Sequence, residues 1–155
     1  MNINLFIVRH GHSPFIGNDD FNRPLSEQGL NQAAQVGKYI AQKTVDGKTK
    51  IITSSAQRTL STTENICQSL AKFETVQMDS LYSASVGDWC DAIINHAAEN
   101  MVLVGHNPTI SQLYQYLAQS QAQGFTPATT GYLILEIAGD GLKLPAQPQH
   151  IFCPD

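Results

Sequence analysis

Positive charge is scarce in this sequence of 155 residues, because nine Lys and Arg side chains face thirteen Asp and Glu, for a formal net charge of −4. The chain therefore has no general electrostatic field for gathering nucleic acid or an anionic membrane. Long apolar runs are also missing: the stretch near the start, Leu5–Val8, is far shorter than the roughly 20 residues of a membrane span or than the apolar region of a signal peptide. We expect a cytoplasmic protein that binds neither nucleic acid nor membrane, and any anion site must be local.

Cysteine is rare as well. Cys67, Cys90 and Cys153 are an odd number and show no metal-site spacing such as CxxC, which indicates reduced, structural thiols in a cytosol. The chain length lies close to the commonest domain size of roughly 100 to 150 residues. We expect a single domain that spans residues 1–155.

Short apolar runs alternate with longer stretches of helical periodicity along the chain. This alternation predicts an α/β fold, a three-layer sandwich with a mostly parallel central sheet and helices on both faces. The predicted strands cover residues 3–8, 51–54, 76–78, 101–104 and 132–137. A turn at Gly139, Asp140 and Gly141 leads to a possible partner strand at 142–144, and the proline-containing tail that follows is predicted to be irregular.

Capping residues mark the starts of three of the four predicted helices. Ser26 is predicted as the N-cap of the first helix, and Ser85 with Asp88 as the capping pair of the third. Asn107 is predicted as the N-cap of the fourth helix, with Pro108 as its first residue. Between the first strand and the first helix, residues 9–24 form a long loop rich in turn residues. We interpret it as part of the functional site, because loops of this length are often functional.

Basic side chains follow three of the predicted strands. Arg9 and His10 follow the first strand, Arg58 follows the second, and His106 follows the buried strand at 101–104. Ligands of open α/β sheets bind outside the carboxyl ends of the strands, so these side chains are expected to share one crevice. Guanidinium groups offer paired N–H donors that suit phosphate oxygens, and a nearby helix N-terminus adds backbone donors. The sequence therefore predicts a phosphoryl site.

Four motifs, read together with this order of residues, resemble a known family. They are Arg9-His10-Gly11, Arg23-Pro24-Leu25-Ser26, the segment 54–60 that contains Arg58, and Val104-Gly105-His106-Asn107-Pro108. In these motifs the chain resembles the histidine phosphatase superfamily, also called the phosphoglycerate mutase-like fold, and in particular its compact SixA-type branch of bacterial phosphohistidine phosphatases. The resemblance runs from about residue 3 to about residue 137.

The resemblance implies roles for the catalytic set. His10 would be the nucleophile, whose neutral imidazole attacks phosphorus to form a phosphohistidine that water then hydrolyses. Arg9, Arg58 and His106 would neutralise the oxygens of the transferring group, and the two arginines should keep His10 unprotonated. No metal or other cofactor is needed for this chemistry, and a phosphate or sulfate ion would fit the site. Further contacts with the substrate are expected from Gly11, His12, Asn18 and Asn107.

The chain departs from the family pattern at the positions where relatives carry a general acid. His12 and Ser13 follow Arg-His-Gly in place of a Glu, the segment 80–85 contains no carboxylate, and Asn107 stands where another branch has an acid. A missing acid disfavours alkyl phosphate esters, whereas the imidazole that leaves phosphohistidine is readily protonated. We therefore expect a metal-independent phosphohistidine phosphatase that acts on a partner protein, such as a histidine phosphotransfer domain.

Three alternatives remain open from the sequence. The chain could be a phosphate-binding or phosphoprotein-binding module that has lost turnover, or a phosphatase of small phosphorylated molecules. The third alternative is a metal-dependent hydrolase in which His10, His12 and His106 bind zinc, although Arg9 and Arg58 would place positive charge beside the cation.

Overall fold

The computed structural model describes residues 1–139 and 141–155. The strands are β1 (Asn2–Arg9), β2 (Thr49–Ser54), β3 (Glu74–Met78), β4 (Asn100–Gly105), β5 (Thr130–Ala138) and β6 (Gly141–Phe152). The helices are α1 (Glu27–Ala41), α2 (Gln57–Cys67), α3 (Val86–Asn95) and α4 (Thr109–Ala118), with a short 3₁₀ helix at Asp79–Leu81.

The six strands form one sheet in the order β3-β2-β4-β1-β5-β6. Strands β1 to β4 pair in parallel, whereas β5 runs antiparallel to β1 and β6 antiparallel to β5. The predicted α/β fold with a mostly parallel central sheet is confirmed.

Strand β1 has an apolar core on each of its faces. Phe6 and Val8 belong to the core beneath α1 and α2, while Leu5 and Ile7 belong to the core beneath α3 and α4. All four side chains are fully buried, as expected for a continuous apolar run in a central strand covered on both sides. The predicted three-layer arrangement is therefore also confirmed.

The predicted caps of α1 and α3 are confirmed, but the predicted cap of α4 is wrong. Ser26 accepts a hydrogen bond from the Gly29 amide, and Ser85 and Asp88 form a reciprocal capping box. Helix α4 begins at Thr109 with Pro108 in the N-cap position. The Asn107 side chain lies one residue before the cap position: its Oδ1 accepts from the Ser111 amide at 3.3 Å and from the Ser111 hydroxyl at 2.7 Å, and its Nδ2 donates to the Phe125 carbonyl at 2.8 Å.

The tail predicted to be irregular is in fact part of β6, which continues to Phe152. Prolines are tolerated there because β6 is an edge strand, so a proline nitrogen without a hydrogen does not break pairing with a further strand. Pro148 lies opposite Leu133, between two register shifts in the pairing with β5. Asp140, at the centre of the predicted turn, lies outside the described residues.

None of the helices in residues 1–139 and 141–155 is both long and apolar enough to cross a membrane. The three cysteines, Cys67, Cys90 and Cys153, are free thiols.

Candidate active site

A cavity of about 550 Å³ opens where β1, β2 and β4 end. In the parallel register Arg9 pairs with Gly105 and Thr53 pairs with Val104, so the segments that follow these strands leave the sheet at the same edge. The backbone amide of His10 also donates to the Gly105 carbonyl at 3.1 Å. The cavity is lined by Arg9, His10, His12, Ser13, Pro14, Phe15, Asp20, Arg23, Arg58, His106, Asn107 and Pro127.

The four residues predicted as catalytic, Arg9, His10, Arg58 and His106, all line this cavity. The imidazole rings of His10 and His106 lie with their centroids 5.4 Å apart. A second depression of about 500 Å³ lies between α2 and β3, and no basic side chain lines it. Of these two cavities, the one at the strand ends is therefore better suited to an anion.

His10 presents its two ring nitrogens to different surroundings. Nδ1 lies 2.7 Å from the Gly11 carbonyl oxygen, and because a carbonyl can only accept, Nδ1 carries the proton of the neutral ring. Nε2 then keeps its lone pair. The pKa of His10 is lowered to about 3: burial is the largest cause, the Gly11 hydrogen bond acts in the opposite direction, and the interactions with His106, Arg58 and Arg9 add smaller lowering effects. His10 is therefore a neutral imidazole with a free Nε2 at neutral pH.

The guanidinium groups of Arg9 and Arg58 keep donors free. Arg9 Nη1 donates to the Phe125 carbonyl at 2.8 Å, and Arg58 donates from Nη1 to the Asp20 carbonyl at 2.6 Å and from Nη2 to Asp20 Oδ2 at 3.0 Å. The Nε atoms of both arginines are buried and have no hydrogen-bond partner within the described residues. Buried N–H donors without a partner are unfavourable, so a bound anion that accepts from them would satisfy them.

His106 follows β4, and its Nε2 lies 2.7 Å from the hydroxyl oxygen of Ser54. Burial is the largest cause that lowers the pKa of His106, to about 4, and the charge of Arg58 adds to it. The ring is therefore neutral at neutral pH.

Three residues that were not predicted as site residues form one hydrogen-bonded group here: Arg23 and Asp20 line the cavity, and Tyr82 contacts Asp20. Arg23 is 7% exposed, and its Nε pairs with Asp20 Oδ1 at 3.1 Å. Asp20 also accepts a hydrogen bond from the Tyr82 hydroxyl. The Tyr82 hydrogen bond, followed by that of Arg58, lowers the pKa of Asp20 to about 2, and the same contact with Asp20 raises the pKa of Tyr82.

The sequence gives an indication for one of these three residues and none for the other two. Arg23 belongs to the Arg23-Pro24-Leu25-Ser26 motif, and that motif indicates a place near the site. Asp20 and Tyr82 had no such signal, because they meet only when the loop before α1 folds against the segment that follows β3.

Of the four residues predicted to contact the substrate, two line the cavity and two do not. His12 and Asn107 line the cavity, and His12 is held by a 2.7 Å contact between its Nδ1 and the Ser26 hydroxyl. Gly11 lies behind the cavity, where its amide donates to Thr62 Oγ1 at 3.0 Å and its backbone packs on Gly29 of α1. Asn18 is exposed on the loop and is not among the lining residues, so the structure does not bring it to the site.

The zinc alternative gains no geometric support. Among the described residues no group of three or more His, Cys, Asp or Glu side chains is placed to hold a metal ion. His10, His12 and His106 therefore do not form a common ligand set.

The fold and this arrangement of donors define a class of enzyme. The family model of the histidine phosphatase superfamily, branch 1, matches residues 5–93, more than half of the chain, and the chain belongs to that superfamily. It is accordingly a phosphatase of the histidine phosphatase type.

Individual relatives lie in the SixA-type branch. The chain is 25% identical over 144 residues to a protein of Haemophilus influenzae named as a phosphohistidine phosphatase SixA homolog, which covers 85% of this chain and 88% of the relative. A crystal structure of a candidate phosphohistidine phosphatase SixA from Agrobacterium tumefaciens has a TM-score of 0.80, with 21% identity and coverage of 97% of this chain and 98% of that one. A protein histidine phosphatase SixA solved with tungstate has a TM-score of 0.69 and 20% identity, over 86% of this chain and 87% of that one. At these identities the two structures show a shared fold.

Proposed function

We propose that this protein is a metal-independent phosphohistidine phosphatase that acts on a phosphorylated partner protein through a covalent intermediate at His10. The observation that carries the proposal is the state of His10: a neutral ring whose proton is held by the Gly11 carbonyl, with Nε2 free in a cavity of arginine donors. This is the state that a nitrogen nucleophile needs, since a charged imidazolium has no lone pair.

The proposed reaction has two steps. In the first, the His10 Nε2 lone pair bonds to phosphorus, the substrate P–N bond breaks, and the leaving imidazole takes up a proton from solvent. In the second, water attacks phosphorus and loses a proton to solvent, the P–Nε2 bond breaks, and inorganic phosphate and neutral His10 are released. Arg9, Arg58 and Arg23 would neutralise the equatorial oxygens in both steps, which is the main requirement of phosphoryl transfer.

The ionised state of the carboxylate in the cavity favours a substrate whose leaving group does not need a general acid. Asp20 is the single carboxylate among the described residues that line the cavity, and it is held ionised by Tyr82, Arg58 and Arg23. An ionised carboxylate cannot donate a proton to an alkoxide. The imidazole of phosphohistidine, which is readily protonated, does not depend on such a donor.

Exposed apolar side chains at the rim of the cavity favour a protein as the substrate. Phe15, at the mouth, is 89% exposed and Ile16 beside it is 66% exposed. Exposed apolar side chains next to a binding cavity are typical of surfaces that contact another protein. The three free thiols further support a reducing, cytoplasmic setting.

The test uses a histidine-phosphorylated phosphotransfer domain, with phosphate release measured for the wild type and for His10→Ala. Loss of the nucleophile should lower turnover by roughly 10⁴-fold or more. The wild type should also yield an acid-labile labelled phosphoenzyme that is absent in His10→Ala, and its activity should persist in EDTA. His96→Ala, which removes an imidazole at the end of α3, is the matched control and should behave as wild type.

A series of substrates with different leaving groups distinguishes the proposed function from the two remaining alternatives, a binding module and a phosphatase of small molecules. Turnover should fall steeply from phosphohistidine through an aryl phosphate to an alkyl phosphate, because no acid assists the leaving group. Tight phosphate binding without turnover of any of the three would instead identify a binding module. Equal turnover of small alkyl esters would identify a phosphatase of small molecules.

A further inference from the structure

Ser54 lies behind His106 and is not among the residues that line the cavity. It is the last residue of β2, its side chain is fully buried, and its hydroxyl oxygen is 2.7 Å from His106 Nε2. The parallel pairing of Thr53 with Val104 places the residues after these two strands side by side, so the contact is built into the sheet register.

The hydroxyl proton of Ser54 has His106 as its nearest acceptor. The Ala56 amide, 3.5 Å from the Ser54 oxygen, can only donate. Thr59 Oγ1 is 3.3 Å away and directs its own proton to the closer carbonyls of Ser54 and Ala56, at 2.8 and 2.9 Å. The shortest hydrogen bond open to Ser54 as a donor is therefore the one to His106 Nε2.

The other ring nitrogen of His106 has no protein partner. Nδ1 is buried and makes no hydrogen bond within the described residues. A neutral imidazole carries its single proton on either Nε2 or Nδ1, and the hydrogen bond made at one nitrogen decides the state of the other. If Nε2 carried the proton, Nδ1 would be a buried lone pair without a donor, in a residue that lines the cavity proposed to bind phosphoryl oxygens, which are acceptors themselves.

We propose that Ser54 is a positioning residue that donates to His106 Nε2 and thereby holds the proton of His106 on Nδ1, as a donor kept for a phosphoryl oxygen. This role rests on the proposed phosphatase function, because it gives His106 the donor that phosphoryl transfer needs. It also explains why a buried nitrogen can remain without a protein partner: its partner would arrive with the substrate.

The tautomer can be measured directly. Nitrogen NMR of the histidine-labelled full chain at neutral pH should show His106 protonated on Nδ1 in the wild type. In Ser54→Ala the proton should move largely to Nε2, and kcat/KM for a histidine-phosphorylated phosphotransfer domain should fall roughly tenfold, the equivalent of one hydrogen bond.

Ser55→Ala is the matched control. It removes a buried hydroxyl one residue away that donates to Asp79, so it should leave the His106 tautomer and the turnover unchanged. A wild-type His106 protonated on Nε2, which is measurable even if Ser54→Ala does not fold, would overturn the proposal. An unchanged tautomer in Ser54→Ala, or a changed tautomer with full kcat/KM, would do the same.

The two proposals fail in different ways. If the wild type releases no phosphate from any phosphohistidine protein, the proposed function fails, while the NMR comparison still decides whether Ser54 sets the tautomer. If the wild type is active and the tautomer does not depend on Ser54, only the inference about Ser54 fails.

Discussion

The Asp20 carboxylate contacts Arg23 and Arg58, two of the basic side chains in the cavity. Its Oδ2 is 3.0 Å from Arg58 Nη2 and its Oδ1 is 3.1 Å from Arg23 Nε. These contacts hold the two guanidiniums in place when no substrate is bound. They also mean that a phosphoryl group entering the cavity meets a negative charge a few ångströms away, which opposes its binding.

Asp20→Asn should therefore strengthen the binding of inorganic phosphate. The amide can still accept hydrogen bonds from Arg58, while one unit of repulsion at short range disappears, so we expect the Kd to fall roughly tenfold at low salt. Isothermal titration with phosphate measures the change.

Asp19→Asn provides the comparison, because it removes the same charge from the neighbouring residue. The Asp19 side chain contacts Asn22 on the loop. We expect its Kd for phosphate to match the wild type. Equal tightening in both variants would show that only net charge matters, and weaker binding in Asp20→Asn would show that the carboxylate is needed to hold Arg58.

At the scale of elements, the site depends on how closely the segment after β1 approaches helix α1. A Cβ atom on Gly29 would lie 2.2 Å from the His12 carbonyl oxygen, and one on Gly11 would lie 2.6 Å from the Gly29 carbonyl oxygen. Neither backbone has room for a side chain. The start of α1 thus fixes the segment that carries Arg9 and His10.

Gly29→Ala should destabilise the protein by about 1 to 3 kcal/mol, because the added methyl group forces the backbone at His12 away from the helix. The sign is opposite to the usual effect of this substitution inside a helix, where Ala is favoured by about 0.5 to 1 kcal/mol. Urea unfolding gives the free-energy change, and phosphate release should fall with it as His10 is displaced.

Gly87→Ala, in α3, is the control for this prediction. A Cβ there would come no closer than 3.6 Å to the Ser85 hydroxyl oxygen, so the ordinary stabilising effect is expected. A Gly29→Ala variant as stable as Gly87→Ala would show that the segment after β1 can move without loss.

At the scale of the whole molecule, the neutral buried histidines link stability to pH. The pKa values of His10 and His106 lie at about 3 and about 4 in the folded protein, below the ordinary value of 6.5. Between those values the unfolded chain binds more protons than the folded chain, so acid favours unfolding in this range.

The free energy of unfolding should consequently decline as the pH falls from about 7 to about 5, before the carboxyl groups titrate. The contribution of Asp20, whose pKa is lowered to about 2 from 3.8, is retained in that range and is lost only at more acidic pH. Urea unfolding at several pH values measures the slope, which should become shallower in His10→Asn and in His106→Asn. A slope that neither variant changes would contradict the neutral state of the two rings.

Much of the architecture could be predicted because it depends on local patterns. The apolar run in β1 and the helical periodicity of α1 and α3 follow from which faces must be buried, and Ser26 and Ser85 cap helices through hydrogen bonds that span three residues. The extension of β6 could not be predicted in this way. Its prolines argue against a strand unless the strand lies at an edge, and the position in the sheet is not a local property.

The sequence by itself determined that Arg9, His10, Arg58 and His106 follow strand signals, because each lies directly after or close to a short apolar run. Only the tertiary structure decided which other groups surround them. Asp20 is 38 residues from Arg58 and 62 from Tyr82, and Ser54 is 52 residues from His106. Contacts over such separations depend on strand order, register and loop packing, which act between segments and leave no periodic signal within any one of them.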